Sequence, residues 1–164
     1  MYEARLRELL DDYKESRVSV EDAIAQLSDL SYKDLGFAKV DHHRAIRKGF
    51  PEVVYGPGKT PDQGAVIAGT LLEVSDRLLV TKATAEAYSA VKKKAPDARY
   101  DETAQAIVVD RRKGPETVPG VVVASGGTSD MQVASEAAIT AELMDCEVER
   151  VFDVGVAGIH RLFD

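Results

Sequence analysis

The chain is 164 residues long, 45% apolar and 30% charged, the balance of a soluble globular protein with one ordinary domain or two small ones. Its net charge of −7 opposes attraction to phosphate backbones and excludes nucleic acid as the expected partner. One cysteine, no apolar run near the roughly 20 residues of a membrane span, and a charged N-terminus unlike a signal peptide point to a cytoplasmic protein without disulfides or membrane contact.

Leu6, Leu9, Leu10 and Tyr13 recur at helical spacing and predict an amphipathic helix over residues 3–14. Ser19, with Asp22 three residues on, opens a second helix whose apolar side is Ala23, Ile24 and Leu27. The two read as a helical hairpin. Residues 37–40 and 52–55 have strand character and are separated by Asp41–His42–His43–Arg44 and the turn Gly49–Phe50–Pro51. Thr60–Pro61–Asp62–Gln63 combines a hydroxyl cap, a proline at the first helical position and an amide three residues after the cap, so a helix should run from there to about Val74. A strand over 77–81, a helix over 83–93 and short strands at 99–100 and 106–109 follow. Lys92–Lys93–Lys94 suits the solvated carboxyl end of that helix. Residues 1–112 thus predict an N-terminal α/β domain, and 113–120, with two prolines and two glycines, a linker.

Residues 121–164 read as one βαβ unit, the start of a doubly wound parallel sheet. A β-branched run to Ala124 enters the turn Ser125–Gly126–Gly127–Thr128–Ser129–Asp130. A helix over 129–145 should bury Ala134, Ala137, Ala138, Ala141 and Met144, and a strand over 148–154 leads to a loop with Asp153, Gly155, Gly158, His160 and Arg161. Both loops lie at carboxyl ends of strands, where open α/β sheets bind ligands. In the first loop, glycines admit a ligand close to the backbone and a helix N-terminus suits a phosphate; Ser125, Thr128 and Ser129 add hydroxyls and Asp130 an acceptor for ribose. The plain alternative is a tight turn with Ser129 or Asp130 as helix cap. In the second loop, His160 is a proton carrier and Arg161 an anion binder, unless they are merely a surface pair. Gly56–Pro57–Gly58–Lys59–Thr60 has the flavour of a phosphate loop but the wrong spacing, which favours a turn and a capped helix. His42 and His43, adjacent and lacking a third ligand at suitable spacing, make a weak metal pair; Cys146 suits a small buried hydrophobe better than a nucleophile.

These residues carry a resemblance. Ser125, Ser129 and Asp130, followed by Gly158, His160 and Arg161, are similar to the GSxSD turn and AHR segment of the PurE-like aminoimidazole ribonucleotide mutases. The extra Gly127 and the run from Asp153 to Arg161 look instead like LarB, the pyridinium-3,5-biscarboxylic acid mononucleotide synthases. Asp41–Arg44, Gly49–Val53 and Gly56–Gln63 resemble the LarB N-terminal domain. The resemblance implies carboxylation of nicotinic acid adenine dinucleotide at pyridinium C5, from carbon dioxide or bicarbonate, and phosphoanhydride hydrolysis releasing AMP, a step toward a nickel-pincer cofactor. It implies substrate binding by Ser125, Gly126, Gly127, Thr128, Ser129, Asp130, Asp153, Gly158 and Arg161, with His160 and Asp130 catalytic. No metal-ligating residues follow from it; magnesium is left open as an assisting ion. It implies a homo-oligomer built through the PurE-like domain. In that family the chain continues well past the position of Asp164 and carries its attacking cysteine there, a role Cys146 does not inherit. The expectation is therefore a fragment without turnover, whose residues 121–164 are mobile or packed on another chain. Two other readings stay open: a purine-type aminoimidazole ribonucleotide carboxylase, and a non-catalytic nucleotide- or partner-binding module.

Overall fold

In the computed structural model, which describes residues 2–42 and 44–162, the leucine spacing produces the hairpin α1 (Tyr2–Lys14) and α2 (Val20–Ser31). Ser19 caps α2: its Oγ accepts the Asp22 N–H at 3.0 Å and donates to Asp22 Oδ2 at 2.7 Å. Two helices alone share only a narrow seam, so the core here is Leu9 with Leu6, Val18 and Ala23. Leu10, Tyr13, Ile24 and Leu27 of the expected apolar stripes are exposed.

β1 (Tyr32–Asp34) and β2 (Lys39–Asp41) form an antiparallel pair. The strand expected over 37–40 is shifted, because Gly36 at φ +80° makes the turn, its N–H bonded to Asp34 Oδ1 at 2.8 Å. A short helix, α3 (Arg44–Lys48), replaces the expected charged connection, and β3 is only Val54–Tyr55.

From Thr60 onward the helix and strands of this domain lie close to their expected positions: α4 (Pro61–Leu72), β4 (Arg77–Thr81), α5 (Ala85–Lys94), β5 (Arg99–Asp101) and β6 (Ala106–Asp110). The sheet order is β3-β4-β6-β5, with β3 parallel to β4 and the other pairs antiparallel. β4 and β6 are apolar without alternation, the composition of strands covered on both faces. On one face Leu78, Val80, Ile107 and Val109 pack on Ala65, Ala68 and Leu71 of α4 and Val91 of α5. On the other, Leu79, Ala106 and Val108 meet Phe50.

That second face is completed from the C-terminal unit. β7 (Val118–Ala124) runs parallel to β8 (Cys146–Val151), and a 3-10 turn (Thr128–Asp130) and α6 (Met131–Leu143) connect them. Ile139 and Leu143 of α6 sit in the core under β4 and β6, while α6 also touches β7 and β8. The helix therefore lies between two sheets, and they set its phase. Ser135, Ile139 and Leu143 are buried with Ala134 and Ala138, whereas Ala137 and Met144, expected inside, are exposed. β7 also begins inside the expected linker: Val118 pairs with Cys146, and the register slips before Val121, where Pro119 lacks an N–H and Gly120 takes φ +101°.

An arginine clasp fixes α6 to the first sheet. Arg77 Nη1 donates to Leu143 O at 2.8 Å and to Asp145 Oδ2 at 3.2 Å, and its guanidinium lies 5.2 Å from the Phe50 ring centre. Arg112 pairs with Asp110 at 2.8 Å and with Asp145, and its hydrogen bonds hold the Asp110 carboxyl below the usual carboxylate range. Ile139 and Leu143 of α6 thus pack part of the C-terminal unit against the first sheet of the same chain. The outer face of the two-stranded sheet remains open, with Val118, Val122 and Ala124 exposed.

Candidate functional site

Parallel pairing of Ala124 with Val151 brings the carboxyl ends of β7 and β8 to one edge. Ser125 joins the two loops through its backbone: its N–H donates to Val151 O at 3.0 Å, and its carbonyl accepts the Val154 N–H at 3.0 Å. Its side chain is buried and its Oγ has no hydrogen-bond partner. Gly126 and Gly155 press together, since a Cβ on Gly155 would stand 2.4 Å from Gly126 O. The glycine of the second loop is therefore required by loop-to-loop contact, a tighter constraint than approach of a ligand.

Asp130 folds the turn onto itself. Its backbone N–H donates to Gly127 O at 3.0 Å, and its Oδ2 accepts the Gly127 N–H at 3.1 Å. This bond closes the 3-10 turn itself; Asp130 stands just before α6 but its side chain makes no capping bond to that helix, and Oδ1 lies 3.5 Å from Ser129 Oγ, with Thr128, Ser129 and Asp130 all exposed. Between the buried Ser125 and α6 the turn thus exposes two hydroxyls and a carboxylate, a polar ledge at a helix start. Such a ledge has the donors for a phosphate and the acceptor for a sugar hydroxyl.

The second loop contributes unevenly. Asp153 is half-buried in the left-handed region at φ +60°, tolerable for aspartate. Gly158 is buried in the 3-10 segment Val156–Leu162, its N–H bonded to Gly155 O at 2.9 Å. His160 is exposed on that segment, and the bonds between the loops run through Ser125, Val151 and Val154 rather than through it. Arg161 follows it in the backbone, and its side chain lies outside the described residues, as does His43.

The remaining sequence candidates settle as structural. Gly56 packs its backbone against the Thr81–Lys82 strand end, where a Cβ would stand 2.6 Å from Lys82 O; Lys59 Nζ donates to Tyr55 O at 2.8 Å. The Thr60 hydroxyl is taken by the Gln63 N–H at 3.2 Å, so this segment is a turn and a capped helix. Lys92 donates to Ala98 O at 2.6 Å beyond the end of α5. Cys146 is half-buried at the start of β8, the opposite end of that strand from the turn, its thiol 3.8 Å from Met144 O. Among the described residues no group of three or more His, Cys, Asp or Glu side chains is arranged to hold a metal ion.

Two clefts lie elsewhere. One of about 340 Å³ lies between the β5–β6 edge and α6–β8. The other, about 590 Å³, lies between the helical hairpin and the β1–β2 pair and is lined in part by His42. Sequence reasoning weighed His42 only as half of a weak metal pair and missed its burial beside this cleft. The ring is buried with Nε2 unpartnered, and burial pushes its pKa down, an effect partly opposed by Glu73. The available signal was its place beside the β2 end, where alternation turns one of two neighbouring histidines inward.

Among the described residues no helix is long and apolar enough to cross a membrane. Over 165 aligned residues the chain is 33% identical to the uncharacterized protein MJ0165 of Methanocaldococcus jannaschii, a match covering 96% of this chain and 64% of that protein. The chain therefore spans just under two thirds of the length of that relative. Residues 32–112 match the LarB/PurE-like N-terminal domain. That region is the α/β sheet with α4 and α5, it carries the Asp41–Arg44, Gly49–Val53 and Gly56–Gln63 motifs, and the chain thus contains a LarB/PurE-like N-terminal domain.

Proposed function

We propose that this chain serves the carboxylation of nicotinic acid adenine dinucleotide at pyridinium C5 and the cleavage of its phosphoanhydride to release AMP, its Ser125–Asp130 turn holding phosphate and ribose. The observation that carries the reading is the orphaned Ser125 hydroxyl beneath a Gly-Gly turn at a helix start. An unsatisfied buried hydroxyl costs about 1–3 kcal/mol, a cost that an incoming phosphate oxygen removes. The LarB/PurE-like domain alongside it supports the substrate class.

The chemistry divides into two steps. A pyridinium ring accepts a nucleophile, the resulting enamine attacks carbon dioxide through C5, and loss of the C5 proton and of the nucleophile restores the ring. Water then opens the phosphoanhydride. In this chain Thr128, Ser129 and the N–H groups before α6 would fix the phosphate. Asp130 Oδ1 would accept from ribose, and Asp153, Gly158 and Arg161 would line the second side. His160, exposed and beside the turn's partner loop, would take the C5 proton. The resemblance assigns the nucleophile to a cysteine other than Cys146, and assembly through the PurE-like unit to a homo-oligomer.

Titration calorimetry tests this. Saturable binding of nicotinic acid adenine dinucleotide is expected, and Asp130→Ala should weaken it by about tenfold or more, the loss of one charge-assisted hydrogen bond. Unchanged affinity in that variant, or turnover of aminoimidazole ribonucleotide in place of the dinucleotide, would overturn the reading.

A further inference from the structure

We infer that the cleft between the helical hairpin and the β1–β2 pair binds a small organic cation, an amine or guanidinium compound, through the acceptors gathered around His42. The cleft holds about 590 Å³, within the usual range for small-molecule sites. Glu8, Asp12, Asp34 and Glu73 line it against a single ammonium, Lys33, which Glu73 binds at 2.6 Å. Asp12 is paired with Arg17 outside the lining, and Asp34 gives one oxygen to the Gly36 N–H at 2.8 Å. The field in the cleft is negative, so an anionic ligand is opposed and a cation favoured.

The acidic lining alone would be an ordinary solvated surface. His42 makes the difference. It is 7% exposed, it lines the cleft, and its Nε2 has no hydrogen-bond partner. Burial keeps the ring toward its neutral form against the opposing pull of Glu73, Asp41 and Glu52, while Lys33 acts in the same direction as burial. A neutral imidazole keeps a lone pair as an acceptor, and every other lining group except Lys33 that bears charge is also an acceptor. A ligand rich in N–H donors answers all of them. The described residues hold no metal-type cluster: the acceptors are spread through the cleft, which fits separated N–H groups better than a point ion. None of these residues belongs to the proposed nucleotide turn, so the two readings stand or fall separately.

The test is calorimetry on the protein with 1,4-diaminobutane and with agmatine at physiological ionic strength, where surface attraction is screened beyond about 8 Å. Saturable binding is expected, with a shift of the His42 Nε2 nitrogen resonance on addition of probe. Glu8→Gln and Glu73→Gln should each weaken binding about threefold or more, and His42→Phe about tenfold, while Ser125→Ala leaves it unchanged. If His42→Phe fails to fold, the two surface variants decide the matter. Absence of saturable binding at millimolar probe, equal binding by all variants, or tighter binding of magnesium ion or inorganic phosphate than of either amine would overturn the inference.

Discussion

At Ser125 the hydroxyl and the backbone do different work. The N–H and carbonyl tie the β7 and β8 loops together, while Oγ is buried with nothing to bond. Removing it costs the folded protein no hydrogen bond. Ser125→Ala should leave the unfolding free energy unchanged or raise it by about 1 kcal/mol, yet lower affinity for the dinucleotide; denaturant titration beside calorimetry separates the two effects. A parallel loss of stability would mean that Oγ has a structural partner. His42 gives a pH signature. Its pKa is lowered by burial, so the unfolded chain takes up the proton more readily. The stability it contributes is complete above its ordinary value of about 6.5 and is lost as pH falls from there through the lowered folded value. The thermal midpoint should therefore drop on acidification across that window, and the drop should be smaller in His42→Phe. At this scale the types of residue were legible and their partners were not. Asp130 read as a helix cap, but its carboxylate closes the preceding turn on Gly127 and makes no capping bond to α6. The backbone demand on Gly155 comes from Gly126, 29 positions earlier, and no local pattern announces it.

Among the elements, those set by short-range chemistry came through best. The Thr60–Gln63 box is reciprocal, with the hydroxyl accepting the Gln63 N–H at 3.2 Å and the Thr60 N–H donating to Gln63 Oε1 at 3.0 Å. Thr60→Ala should destabilise the protein by about 1 kcal/mol, read as a lower denaturant midpoint with an unchanged slope. Thr84 caps α5 in the same way, accepting the Ala87 N–H at 3.2 Å. Strand edges were less legible. The β1–β2 pair takes its register from the Gly36 turn, so the apolar Phe37 falls outside the strand that its β propensity suggested. β7 likewise extends back through Pro119 and Gly120, residues that read as a linker, because pairing of Val118 with Cys146 outweighs local composition.

Over the whole molecule, α6 is the shared element: one sheet lies on each side of it, and Arg77, Arg112 and Asp145 clamp its carboxyl end to the first sheet. Ile139→Ala should cost about 2–5 kcal/mol as a buried large-to-small change. Because Ile139 sits against Leu79 and Val108, both sheets should lose stability in a single unfolding transition. Two separate transitions, with the first sheet at its original midpoint, would contradict a shared core.

The sequence by itself determined the α/β class, the capped helices, the strands of the first sheet and the order of motifs of a LarB/PurE-like N-terminal domain, because caps, periodicity and motif order are properties of neighbouring residues. Only the tertiary structure decided which face of α6 is buried, that the two sheets share one helix, that Gly155 serves the loop contact, and that His42 is buried in the wall of a cleft. Each of these depends on surfaces far apart in the chain meeting at a particular distance, and burial, unlike helical spacing, is set by what arrives from elsewhere.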